Sequence, residues 1–182
     1  MPDTATEMIE WVTNETVMLV FIIVFITLLL NYVVRELFSR LEGRVEDSRT
    51  IWDDALFRSA RQPIGWLIWL LGIAWAADLI AHEAESGLGQ VIGPLRYIGV
   101  VGLLAIFLTR FIREVEQASI GRGSDVTTAS AVGKLMRVSV LITAALTVLQ
   151  TLGVSISGIL AFGGIGGIAV GFAALDILAN FF

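Results

Sequence analysis

Five stretches of the chain are almost continuously apolar, and the charged residues are concentrated between them. They cover residues 16–34, 62–81, 91–112, 134–152 and 156–182. An apolar run of 18 or more residues with few charges reads as a membrane-spanning helix rather than a core helix. Each of the first four suits a hydrocarbon layer of ~30 Å at ~1.5 Å of rise per residue. The fifth would be ~40 Å long if straight, so it must tilt, bend or leave the bilayer at one end. The pattern predicts an all-α integral membrane protein with about five transmembrane helices.

Composition agrees and narrows the chemistry. Of 182 residues, 56% are hydrophobic and 16% charged, with a mean hydropathy of +0.83. A soluble domain has about 45–50% apolar and about 25% charged residues. The chain has no cysteine, which excludes a disulfide framework, a Cys-ligated zinc site and a thiol nucleophile. Its one histidine, His82, lies between two apolar runs and reads as a solvated loop residue. No paired carboxylates, metal-ligand cluster or nucleophile with a base is legible, so no enzyme, metal or cofactor is expected. The net charge of −5 gives no reason to expect nucleic acid. The N-terminal segment has Asp3, Glu7, Glu10 and Glu15 but no Lys or Arg. A secretory signal begins with basic residues, so the first run is expected to remain as a span.

Orientation follows from the basic residues. Arg35, Arg40, Arg44, Arg49, Arg58 and Arg61 follow the first run. Arg110, Arg113, Arg122, Lys134 and Arg137 lie at or near the third connection. Eleven of the twelve basic residues therefore fall on one side. The positive-inside rule puts that side in the cytoplasm, the N-terminus outside and the C-terminus in the cytoplasm, in a cell (inner) membrane.

The first cytoplasmic connection, residues 35–61, spaces Leu37, Leu41, Val45, Ile51, Trp52, Ala55 and Leu56 as short amphipathic helices at the inner interface would, with Trp52 at headgroup depth. A solvated connector is the alternative. The second connection, GRGSDVTTAS, reads as a turn and a helix start, with Ser124, Asp125, Thr127 and Thr128 as candidate N-caps. Asp78 and Arg96, near the outer ends of neighbouring spans, either pair with each other or snorkel separately.

The last run is the most informative. Seven glycines lie between Gly153 and Gly171, although each costs a helix about 1 kcal/mol against alanine. Small residues let helix backbones approach closely in lipid, where hydrophobic burial does not drive association. At about 100° per residue from Ile168, Phe172 lies at about 40°, Ile165 at about 60°, Leu175 at about −20° and Ala179 at about 20°. Gly163, Gly167 and Gly171 drift from about −140° to about −60° on one flank, and Gly166, Ala169 and Ala173 fall at about 100° to 160° on the other. A glycine flank and an alanine flank can dock head-to-tail on identical neighbours and close a ring. The stripe between them would then face the axis. Ordinary GxxxG packing without a pore is the competing account, but a simple dimer needs only one small face. Rings of Ile168 and Phe172 would form a hydrophobic constriction that gates by dewetting. Asp176 and Asn180 border the cytoplasmic mouth; an interfacial cap or intersubunit partner is the other role open to Asp176.

The run LQTLGVSISGILAFGGIGGIAVGFAALDILANFF, beginning at Leu149, resembles the pore helix of the small-conductance mechanosensitive channel family, in particular its members with five helices per subunit. Residues 158–182 carry the specific part. TIWDDALFRSARQP, residues 50–63, resembles a segment preceding a transmembrane helix in such channels, and Asp125 to Thr128 with Lys134 resembles their approach to the penultimate helix. The resemblance implies a homo-heptamer with each N-terminus outside. It implies sealing rings at Ile168 and Phe172, close packing at Gly163, Gly167, Gly171, Ala169 and Ala173, and a bend around residues 174–176. Leu175 stands where relatives usually have Lys, and Ala174 where they often have Gly. This removes a basic ring at the mouth and a flexible hinge.

The organisation expected is an outside segment over residues 1–15, a four-helix sensor region over 16–152 and a pore-lining helix over 153–182. The chain ends at Phe182 inside an apolar run, so a cytoplasmic domain is expected to follow. The function expected is a tension-gated ion channel subunit that releases ions and small solutes on hypo-osmotic shock. Its partners would be membrane lipids, identical subunits and permeant ions, with no nucleic acid. The alternative is a structural or regulatory oligomer whose glycine-rich helix only mediates packing. A secondary transporter fits less well, because such proteins place polar groups and broken helices near the midplane.

Overall fold

The computed structural model describes residues 15–45, 51–83, 87 and 89–181. These form five helices in chain order: α1 (Glu15–Val45), α2 (Ile51–Glu83), α3 (Gly89–Gly121), α4 (Val126–Thr151) and α5 (Ser157–Phe181). No strand occurs among the described residues. All five helices contain a segment long and apolar enough to cross a membrane. The outside segment expected over residues 1–15 lies, apart from Glu15, outside the described residues.

The helices outrun the apolar stretches that predict them. α1 continues to Val45 and α2 begins at Ile51, so the expected short interfacial helices are instead extensions of the spans. The reason is that a span ends where lipid ends, whereas a helix ends where a breaker intervenes. Between Arg35 and Val45 only Gly43 is a poor helix former, and the i,i+4 pair of Glu36 with Arg40 at 2.8 Å supports the extension. The side chain of Trp52 lies outside the described residues. α3 likewise runs past Ile112 to Gly121, and α4 begins at Val126. Lys134 and Arg137 therefore lie two to three turns inside α4 rather than at its edge.

The turn between α3 and α4 matches the sequence reading. Gly123 has φ of 94°, in the left-handed region that favours glycine. Asp125 caps α4, its carboxylate accepting from the Thr128 backbone N–H at 2.7 Å. That bond, and a second from the Thr128 hydroxyl, hold the Asp125 carboxyl below its ordinary range. At the other end of α4, Gly153 has φ of 84°, and the Val154 N–H donates to the Leu149 carbonyl at 3.0 Å, closing the helix.

Packing is sequential: α1 against α2, α2 against α3, and α3 against α4. The buried positions are mostly small, with Ala55, Ala60, Ala74, Ala76, Ala81, Ala105, Thr27, Ser59 and Gly133 accompanied by Pro63 and Ile112. Close approach through small residues is the packing mode of lipid-embedded helices. Gly72 receives the Thr27 side chain of α1, Gly99 the end of Leu70, and Gly133 the carboxylate of Glu116. Phe38 and Phe57 meet edge-to-face at the end of the α1–α2 contact nearest their connection, with ring centroids 5.5 Å apart.

Candidate functional site: the unpartnered last helix

α5 packs on none of the other four helices. Every residue from Ser157 to Leu175 is exposed in the single chain, including Phe162, Ile165, Ile168, Val170 and Phe172. A Cβ added at Gly163, Gly164, Gly166, Gly167 or Gly171 would meet nothing within 4 Å. The α4–α5 turn produces this exposure by directing α5 away from α4. A helix hydrophobic on all sides belongs in lipid or against other helices, and this one has no neighbour among the other described helices of its own chain.

The predicted pore residues occupy consecutive positions of that helix. Ile168 and Phe172 lie one turn apart and are 61% and 68% exposed. Gly163, Gly167 and Gly171 mark one flank and Ala169 and Ala173 the other, on an uninterrupted helix. Exposure does not distinguish these faces, because all of them are open in one chain. Their separation rests on the helical period. Helical hydrogen bonding continues through residues 174–176, where the resemblance implies a bend. Asp176 and Asn180 have helical backbones, but their side chains lie outside the described residues.

α4 presents Ser139, Thr143, Thr147 and Thr151 at four-residue intervals. Each hydroxyl donates to the carbonyl four residues earlier, at 2.8–3.0 Å. The ladder satisfies these hydroxyls within the helix, which lets a polar stripe cross a layer without water.

The ionic contacts lie away from α5. Arg96 and Asp78 pair at 3.2 Å between α3 and α2, resolving the choice between pairing and separate snorkelling. Arg110 of α3 donates to the Gln62 side-chain oxygen of α2 at 2.5 Å. Arg137 of α4 pairs with Glu116 of α3. Sequence reading missed the last two contacts. For Glu116 and Arg137 the available signal was two opposite charges, each within or beside an apolar run, on either side of a glycine-containing turn; for Gln62 and Arg110 there was none. Among the described residues, no cluster of three or more His, Asp or Glu could hold a metal ion.

The fold defines a polytopic α-helical membrane protein whose last span is exposed in the single chain. Residues 134–174, most of α4 and α5, match the family model for transmembrane helices 2/3 of mechanosensitive ion channels. The chain is also 33% identical over 128 residues to the low conductance mechanosensitive channel YnaI of Escherichia coli (strain K12). That match covers 65% of this chain and 36% of the relative. No solved structure matches the chain. The resemblance to mechanosensitive ion channels is thus centred on α4 and α5, and the chain spans about a third of the length of the relative it matches.

Proposed function

We propose that this protein is the subunit of an ion channel opened by membrane tension, releasing ions and small solutes on hypo-osmotic shock. The observation that carries the reading is α5, exposed along its apolar length and flanked by glycine on one side and alanine on the other. Its segment also matches the mechanosensitive channel family. Identical copies of α5 dock glycine flank to alanine flank around an axis, in a heptamer by family resemblance, with lipid on the outside and permeant ions in the lumen.

In this reading residues 1–15 lie outside, residues 16–152 form the tension-sensing region, and residues 153–182 line the pore. The membrane is the inner membrane, with the C-terminus cytoplasmic. Gly163, Gly167 and Gly171 on one copy approach Ala169 and Ala173 on the next. Ile168 and Phe172 form two successive apolar rings, and a narrow apolar ring excludes ions by shedding its water. Asp176 and Asn180 border the cytoplasmic mouth. Tension favours the state that occupies more membrane area, so outward tilting of the helices opens the rings.

The test is patch-clamp recording of purified, reconstituted protein under graded suction. The reading expects stepwise currents that appear at a reproducible tension. Silent patches from protein that forms the ring by cross-linking would leave α5 as an assembly helix only.

A further inference from the structure

Among the described residues of one chain, α4 touches the α1–α3 bundle only through α3, and α5 touches no other helix. Force that lipid exerts on α1–α3 can therefore reach α5 within the chain only through the α3–α4 hairpin. Besides the packing of the two helices, two polar features hold that hairpin: the turn at Gly123 and Asp125, and the ion pair of Glu116 with Arg137.

This pair differs from the pairs of Asp78 with Arg96 and of Glu36 with Arg40. Its side chains are 13% and 22% exposed, against 36% and 41% for Asp78 and Arg96 and 45% and 76% for Glu36 and Arg40. The Glu116 carboxylate also rests against Gly133, where any added Cβ would overlap it. Gly133 is the buried residue of α4. The glycine thus admits the carboxylate between the helices, and the guanidinium of Arg137, one turn further along α4, holds it there. A shielded pair contributes little net stability against an apolar replacement, yet it favours one geometry because either charge left alone in that place is costly.

We propose that Glu116 and Arg137 are positioning residues, forming a latch that makes α4 follow α3 and so sets the tension at which the pore opens. The inference rests on the channel reading above. With the latch closed, outward movement of α1–α3 carries α4 and draws α5 from the axis. Without it, α3 slides along α4 and part of the movement is lost before it reaches the pore.

The test is a double-mutant cycle on opening tension, taken as a ratio to an internal reference channel in the same patch. The variants are Glu116→Gln, Arg137→Gln and both together. All three are expected to raise the ratio with unchanged conductance, the double by about as much as either single, since one interaction is removed in each case. The double variant leaves neither charge unpaired, so it assembles even where a single fails. Spin labels at Gln117→Cys and Lys134→Cys should report a broader α3–α4 distance distribution in the double variant than in the otherwise unchanged protein. An unchanged or lowered ratio, or shifts that simply add, would overturn the latch, as would an unaltered distance distribution. If the unsubstituted protein gives no tension-dependent current, the channel reading fails by itself, and the spin-label distances still decide whether the pair fixes α4 on α3.

Discussion

At the residue scale, two positions make different demands. Phe172 closes a pore by being apolar, so Phe172→Ser should hydrate its ring and let channels open at lower tension or leak at rest. Phe162, at about 120° and off the Ile168 stripe, is as exposed in the single chain as Phe172, and Phe162→Ser should leave the threshold near normal. An unchanged threshold in assembled Phe172→Ser channels would remove Phe172 from the gate. Asp125 works through its charge at the start of α4, where the Thr128 backbone N–H and hydroxyl hold its carboxyl below the ordinary range. Its contribution is fully present above the ordinary carboxylate value and disappears as pH falls through the lowered one. Hydrogen exchange at the first turn of α4 should therefore be slow at neutral pH and quicken only in strong acid. In Asp125→Ala it should already be quick at neutral pH, while Asp125→Asn, which keeps an acceptor, should be intermediate.

At the element scale, glycines that look alike in the sequence differ in what they face. Gly72 has the Thr27 side chain within overlap distance of an added Cβ, whereas Gly102 has nothing within 4 Å. Gly72→Val should separate α1 from α2 and lower stability by about 1–3 kcal/mol, the range for overpacking. Gly102→Val should cost little, and thermal unfolding in detergent compares the two. Gly167 is open in one chain, so Gly167→Leu should leave the isolated subunit folded but weaken the oligomer or jam its pore. Gly93→Leu, near the start of α3, should be milder. Equal tolerance of the two in cross-linking and conductance would show that the glycine flank is not an interface. Hydropathy located all five helices to within the lipid-crossing segment. It underestimated their lengths because residues 35–45 and 113–121 form good helix without being apolar.

At the scale of the whole molecule, orientation is the testable statement. Gly87 lies in the α2–α3 connection and Gly121 ends α3 at the opposite face, and neither has a neighbour within 4 Å of an added Cβ. Cysteines placed singly there should label with an impermeant reagent from opposite sides of intact cells, Gly87 from outside. Labelling of both from one side would refute the five-span arrangement. The sequence alone determined the membrane class, the number of spans and the glycine and alanine periodicity of α5, and it narrowed the α4 cap to Ser124, Asp125, Thr127 or Thr128, of which the structure uses Asp125. These depend on local composition and spacing, which lipid and helical geometry read directly. Tertiary structure decided that Asp78 meets Arg96, that Glu116 meets Arg137 over Gly133, that Gln62 meets Arg110, and that α5 finds no partner among the other described helices. Such contacts depend on the register between antiparallel helices and on the angle a turn imposes, and no periodicity within a single helix contains either.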